Sequence, residues 1–390
     1  MHLLFATSIV PGGGQGSGYE IASAAILDAL RRAGCRVTVL GFTERGVPVV
    51  ERRDVVPLGE IDVRTVGAGA RRKTAWLARA ILNGLTFSSA KLRVISPEEV
   101  RQAIDAAGPF DGYVLNSVQL AGAFEGLFDD KPSIFVAHNV EFRTAEENAR
   151  TSRGVIRRLL YAREARILKG LEARLCERAR FVFTLAEEDR SALGIASKGK
   201  SAALPLVTRR DQPPVTRRDI DCDAALIGTW TWEPNRVGLD WFLEAVVPRL
   251  RRDFQIRIAG HMPPGVRSEH PGVKFVGHVP AATEFVRGAA VVPLISRAGT
   301  GVQLKTIETF ELGLPSVATR SALRGIDFLP ANCTVADDPQ AFARALELAA
   351  SNRGGDADGS HFYRRQRAAL DARIGWGLDA LGRVRNEVAA

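Results

Sequence analysis

The sequence predicts an α/β protein built as two parallel-sheet domains with helices on the sheet faces and one more helix at the chain end. Three observations predict it. Short apolar runs alternate with longer amphipathic segments, as strands joined by crossover helices do. The alternation stops over 204–222, "LPLVTRRDQPPVTRRDIDC", where two adjacent prolines stand among charges, and then restarts. A chain of 390 residues is long enough for two or three domains with sizeable cores. The expected limits are a first domain over 1–205, a linker over 206–222, a second domain over 223–373, and a terminal helix over 374–390 that packs back on the first domain.

"HLLFATSIV" reads as the opening strand; with no basic stretch before it and only a short apolar run, it does not read as a signal peptide. The loop "PGGGQGSGYE" (Pro11–Glu20) follows, with Gly14, Gly16, Ser17 and Gly18 as candidate contacts. It is not a strict G-x-G-x-x-G, and it suits either a plain loop or backbone amides that approach a phosphate. In "YEIASAAILDALRRAG", Ile21, Ala24, Ile26, Leu27 and Leu30 form a helical stripe, and Gly34 is a stop signal. "CRVTVLGF", "DGYVLNS", "SIFVAHN" and "RFVFTLA" read as buried strands. "FVAHNVEFR" sets His138 and Asn139 at a strand end, where open parallel sheets bind ligands, with Glu141 and Arg143 just beyond. A lone histidine there is more often a satisfied structural group than a catalyst. In "TLAEED", Thr184 and Glu187 have the spacing of a helix capping pair.

Residues 150–181 hold ten Arg or Lys and three Glu, with Ile156, Leu159, Leu160, Ile167, Leu171 and Leu175 at helical spacing. This fits a solvated helix face or a basic amphipathic helix meeting anionic lipid, and "ARRKTAWLARAILNGL" at 70–85 is similar.

In the second domain, "AALIGTW", "FQIRIAGH", "VKFVGHV", "AVVPLIS" and "PSVATR" read as strands, and "GLDWFLEAVVPRLRR", "ATEFVRGA" and "VQLKTIETFELG" as helices. After "AVVPLIS" the chain turns through Gly299, Thr300 and Gly301 into a helix that carries Lys305 and, three residues on, Glu308. Glycines let amides approach a ligand, and a helix start adds free N–H donors and partial positive charge. With Lys305 the arrangement suits a pyrophosphate, and Glu308 suits neighbouring hydroxyls such as those of a ribose. Taken alone, it fits a solvated i,i+3 ion pair equally well.

Composition narrows the class. Hydrophobic content of 46% and charged content of 25% describe a globular chain, and no apolar run reaches the ~20 residues of a membrane span. Cys35, Cys176, Cys222 and Cys333 are scattered, so neither a disulfide framework nor a zinc site is expected, and the cytoplasm is the expected compartment. The net charge is +9, carried almost wholly by residues 1–210. That asymmetry points to an acidic partner there, such as anionic membrane or a phosphorylated acceptor. Nucleic acid is not expected, because no stacking aromatics interleave the basic residues.

The stretches "LIGTWTWEPNRVGLDWFLEAVVPRL", "IRIAGH", "VKFVGHVP" and "PLISRAGTGVQLKTIETFELGLPSVATRSALRGID" resemble the C-terminal domain of family-4 type glycosyltransferases, glycosyl transferases group 1. The resemblance implies the GT-B fold: two Rossmann-like domains facing across a cleft, with the C-terminal helix crossing back to the first. It implies a retaining transfer from a UDP- or GDP-sugar to a hydroxyl acceptor in bacterial polysaccharide, lipid-linked glycan or lipopolysaccharide synthesis. No metal and no bound cofactor are implied. Glu308 would hold the ribose, while Lys305 and the backbone of Gly299–Val302 would lie near the diphosphate. Gly228, Trp232 and Asn235 would line the donor cleft, Gly277 and His278 would lie near the base, and His138 would touch the donor sugar.

Two departures stand out. Thr300 occupies the place where many members carry a first glutamate, and "TWTWEPNRVG" replaces the usual Arg…Lys-Gly phosphate clamp, which leaves Arg236 and Lys305 as phosphate candidates. Two other readings are a sugar-nucleotide epimerase, which needs clustered acid/base residues, and a non-catalytic membrane-binding protein, which does not need Lys305 or Glu308.

Overall fold

The computed structural model describes residues 1–12, 17–44, 54–62, 69–212, 217–352 and 355–388, the last six as backbone only. The chain divides into two units, one formed by Met1–Leu206 with Ala369–Ala390, the other by Val207–Ala368.

The first unit holds seven parallel strands: β1 (His2–Ile9), β2 (Arg36–Glu44), β3 (Val55–Ile61), β4 (Gly112–Asn116), β5 (Ser133–Ala137), β6 (Phe181–Thr184) and β7 (Ser201–Ala203). Their order is β3-β2-β1-β4-β5-β6-β7. In register, Phe5 of β1 lies between Val39 of β2 and Val114 of β4. Because helices cover both faces, β1, β4, β5 and β6 are buried almost residue by residue, which is why they read as continuous apolar runs. The helices are α1 (Gly18–Arg32), α2 (Ala70–Leu82), α3 (Phe87–Leu92), α4 (Pro97–Ala107), α5 (Val118–Ala123), α6 (Glu141–Thr151), α7 (Val155–Arg178) and α8 (Glu187–Ala192).

The second unit repeats the design with six parallel strands: β8 (Cys222–Thr229), β9 (Ile256–His261), β10 (Val273–Gly277), β11 (Ala289–Leu294), β12 (Ser316–Ala318) and β13 (Cys333–Val335), ordered β10-β9-β8-β11-β12-β13. Its helices are α9 (Glu233–Trp241), α10 (Ala282–Arg287), α11 (Leu304–Glu311) and α12 (Pro339–Ser351). The last helix, α13 (Gly359–Val388), contributes its first ten residues to this unit and the remainder to the first. There Arg32 pairs with Asp371 at 2.6 Å, and Gly377 lies so close to the Phe183 ring that a Cβ would stand 2.7 Å from it.

In each sheet the strand order reverses once, between β1 and β4 and between β8 and β11. Crossovers leave in opposite directions at such a point, so the carboxyl ends open a crevice where ligands bind.

Several expectations change. β3, β7 and β13 are strands that the apolar pattern of the sequence does not signal. Each lies at a sheet edge, where one long side has no neighbouring strand and the apolar run is short. The single helix expected over "GLDWFLEAVVPRLRR" is instead α9, a wide turn over Phe242–Val246 and a tight turn over Val247–Arg249. Pro248 has no N–H to continue an α-helix. Thr184 and Glu187 do not form a capping pair: α8 starts after Ala186 without a side-chain cap, and the Thr184 hydroxyl donates to Ala186 O. The expected linker is in part ordered structure, with Leu206 and Val207 buried and Thr208 donating its N–H to Glu311 of α11 at 2.8 Å.

Packing of α9 on the end of β11 requires a glycine. A Cβ at Gly238 would lie 2.3 Å from Ile295 O, a main-chain atom that cannot swing aside. Gly238→Ala should destabilise the protein by ~1–3 kcal/mol, which lowers the melting temperature by roughly 2–12 °C. An unchanged thermal melt would show that α9 has room to retreat.

Candidate functional site

The second unit builds its site at the β8/β11 reversal. β8 ends in Gly228 and Thr229, and the chain turns to Trp230, which is buried and donates its indole N–H to Ala259 O at 2.8 Å. β11 ends at Leu294, and the loop through Gly299, where φ is +97°, leads to α11. Gln303 is the cap residue of α11 and makes no side-chain cap, so the first-turn amides keep no side-chain acceptor. Thr306 donates to Ala322 O at 2.8 Å and ties the helix to the turn after β12. A narrow apolar pocket of about 30 Å³ opens here, lined by Leu226, Trp230, Val286 and Leu294 with Lys305 and Glu308 at its polar side. It has room for a water or two, so a larger ligand would lie over its mouth.

Lys305 is half-buried at the second position of α11, and its Nζ lies 5.6 Å from the Trp230 ring centroid. Burial pushes its pKa down to about 8. The helix start carries the same sign of charge, so neither neighbour compensates a cation as a carboxylate would. The i,i+3 pair with Glu308 that the spacing allows does not form. Glu308 turns instead to Arg209, whose guanidinium donates to Oε1 at 2.8 Å, and to Thr283, whose hydroxyl donates to the same oxygen at 2.9 Å. No carboxylate pairs with Lys305 among the described residues. Arg209 lies in the stretch read as linker and Thr283 on α10, so sequence spacing could not have signalled either. Glu311, one turn further along α11, is buried, and desolvation pushes its pKa up to about 7 against the hydrogen bonds from Thr208.

The other expected donor contacts fall into three groups. Gly228 and the Gly299–Val302 loop belong to the same reversal as Lys305; Thr300 is hydrogen-bonded or otherwise engaged. Trp232 caps α9 and is exposed, Asn235 donates to Thr229 O at 3.1 Å, and Arg236 pairs with Asp240 at 2.5 Å. Arg236 is therefore held within α9. Gly277 and His278 stand at the end of β10, the edge strand, two strands from β8.

In the first unit, Gly14 and Gly16 lie outside the described residues. Ser17 and Gly18 start α1, and Ser17 forms a capping box with Glu20. His138 is buried just after β5, and Asn116 ends the neighbouring strand β4. Ser117, next to Asn116, has φ of +80°, a strained value for a residue with a side chain and of the kind that gathers at functional sites. The chain after His138 is held by Glu172 of α7, which accepts the amides of Glu141 and Phe142 at 2.9 and 3.0 Å. Burial raises the Glu172 pKa to about 8 even so. Burial also raises Glu141.

Comparison with known proteins adds the class. Residues 223–352 match the family model Glycosyl transferases group 1. No curated protein matches the sequence. Among solved structures, sucrose-phosphate synthase from Thermosynechococcus elongatus is similar, with a TM-score of 0.61 and 16% identity over 99% of this chain and 98% of that one. HepE from Anabaena in complex with UDP-glucose is similar, with a TM-score of 0.59 and 13% identity over 97% of this chain and 100% of that one. At this identity the likeness shows the fold, which is GT-B.

The state of Lys305 has a measurable consequence. Below about pH 8 its amine is charged in folded and unfolded chains alike; between about 8 and the ordinary 10.5 only the unfolded chain keeps the proton. Its contribution to stability should therefore rise with pH across that window. Against Lys305→Met, the wild-type urea midpoint should climb between pH 8 and 10.5. Parallel curves would mean that the amine is solvated.

Proposed function

We propose that this chain of GT-B fold, whose residues 223–352 match the glycosyl transferases group 1 model, transfers a sugar from a nucleoside diphosphate to a hydroxyl acceptor with retention of configuration. The observation that carries this reading is Lys305, a half-buried cation at a helix start with no carboxylate partner among the described residues. A diphosphate would supply the missing charge, and in a partly desolvated site that compensation is stronger than in water. As the sugar departs, negative charge grows on the diphosphate, where Lys305 and the α11 amides stabilise it without a metal ion. The diphosphate itself accepts the proton of the acceptor hydroxyl, so no protein nucleophile is required.

Glu308 takes the ribose. Arg209 and Thr283 both hold Oε1, which fixes the carboxylate and leaves Oε2 to accept a ribose hydroxyl. The HepE structures hold UDP and UDP-glucose, which makes uridine nucleotides the first ligands to try. UDP should bind the wild type, and Glu308→Ala should weaken it by ~1.5–3 kcal/mol, roughly 10- to 150-fold in Kd. Calorimetry giving equal affinities would remove the ribose role, and failure of both UDP and GDP to bind the wild type would remove the donor class.

The acceptor reading, a bacterial polysaccharide or lipid-linked glycan, is supported by a surface of the first unit. The apolar stripe of 150–181 lies along one helix, α7, and its exposure changes along the length. Gly154 precedes the helix, Leu171 and Leu175 are buried, and the first turns of α7 leave Val155, Ile156 and Leu159 exposed beside Arg153, Arg157 and Arg158. Ile81 and Leu82 at the end of α2 are exposed too, and Arg163 of α7 donates to Ala80 O and Leu85 O on either side of them. Exposed aliphatics with an arginine rim suit an anionic bilayer surface, each cation contributing on the order of 1 kcal/mol. None of the described helices is long and apolar enough to cross a membrane. The protein should float with phosphatidylglycerol vesicles at low salt and dissociate near ~0.5 M salt, where screening is short-ranged. Arg157→Glu with Arg158→Glu should lower flotation and leave UDP affinity intact; a wild type that ignores these vesicles at low salt removes the membrane reading.

A further inference from the structure

At the β1/β4 reversal of the first unit, Asn116 is enclosed by groups that decide which way its amide points. Its Nδ2 faces Ser23 Oγ at 2.8 Å, Thr7 Oγ1 at 3.1 Å and the Tyr19 hydroxyl at 3.2 Å. The protons of these oxygens are already directed elsewhere: Ser23 donates to Tyr19 O at 2.7 Å, Thr7 to Ile9 O at 3.1 Å, and Tyr19 to Asn116 O at 3.0 Å. Thr7 Oγ1 and the Tyr19 hydroxyl also share a 2.7 Å hydrogen bond, in which either can donate. The Ser23 proton is committed to a carbonyl, so Ser23 Oγ accepts from Asn116, and the amide nitrogen, with two protons, is the atom that faces this cluster. The remaining atom, Oδ1, lies 2.8 Å from His138 Nε2. An amide oxygen accepts only, so Nε2 must carry a proton, and in the neutral ring Nδ1 is then left with its lone pair. Nδ1 has no hydrogen-bond partner among the described residues.

We propose that Asn116 is a positioning residue that holds His138 as the neutral Nε2–H tautomer, so that the imidazole presents Nδ1 as a hydrogen-bond acceptor for a hydroxyl. A neutral acceptor of this kind favours a hydroxyl, which always has a proton to give, over a phosphate, which is mostly deprotonated above its second pKa of about 6. Resting on the transfer reading, that hydroxyl belongs to a sugar substrate. The surroundings favour the neutral ring. Tyr19 of α1 packs against it with ring centroids 4.8 Å apart, and burial holds the phenol protonated. Glu141 at the start of α6 and Glu172 of α7 are the nearby acids of the adjoining elements, and burial raises both. Burial lowers the His138 pKa to about 4, with no charged group contributing.

The test is ¹⁵N-histidine NMR of the whole protein, with the His138 signal identified by its loss in His138→Gln. The wild type should show the Nε2–H tautomer at pH 7 and remain neutral to pH 5. Asn116→Asp sets a carboxylate against Nε2–H, which favours the cation. It should raise the His138 pKa by ~1–3 units and move the acid limb of UDP-sugar turnover upward by the same amount. A wild-type ring that is Nδ1–H or cationic at pH 7, or an Asn116→Asp ring with unchanged pKa, overturns the proposal. The wild-type spectrum decides the matter even if the variant does not fold. Neither spectrum depends on turnover, so absence of sugar transfer would count against the function and leave the role of Asn116 standing.

Discussion

An ammonium group drawn partly out of water at the head of a helix raises the free energy of the folded chain, and Lys305 is in that position. The helix start adds charge of the same sign, and the Trp230 ring offers only its quadrupole. The expected counter-ion, Glu308, is taken by Arg209 and Thr283. The imbalance is why the proposed function sets an anion at α11: a bound anion would relieve the charge that burial penalises. The supports around it serve the same end: Gly238 lets α9 close on the end of β11, and Thr306 fastens α11 to the turn after β12.

The two units solve opposite electrostatic problems with the same topology. In the second, the crevice at the strand reversal carries a cation, Lys305, with no carboxylate partner among the described residues. In the first, the corresponding crevice holds a histidine that burial keeps neutral and that Asn116 orients. Neutrality there suits recognition of hydroxyls, which would compete with bound anions if the ring were charged. Strain at Ser117, immediately after Asn116, shows that the turn out of β4 is held in a costly backbone conformation by its surroundings.

The sequence by itself determined the class of fold and the place of the second-unit site. Parallel strands buried on both faces need continuous apolar runs, and crossover helices need amphipathic ones; both patterns are local, so β1, β4, β5, β8 and β11 stand out in the bare sequence. The Gly299–Gly301 turn leading into Lys305 and Glu308 is local too. What is not local was hidden. Strands β3, β7 and β13 carry short or weak apolar signals: β3 mixes exposed and buried positions, and β7 and β13 are three residues each. The partner of Glu308 is Arg209, 99 residues away in sequence, and the partner of His138 is Asn116 on a different strand. Only tertiary structure could decide that Lys305 has no carboxylate partner among the described residues, that burial favours a neutral His138 and that the start of the basic helix α7 is exposed while Leu171 and Leu175 are buried. Burial and hydrogen-bond partnership belong to the packed chain, and residue spacing carries no record of them.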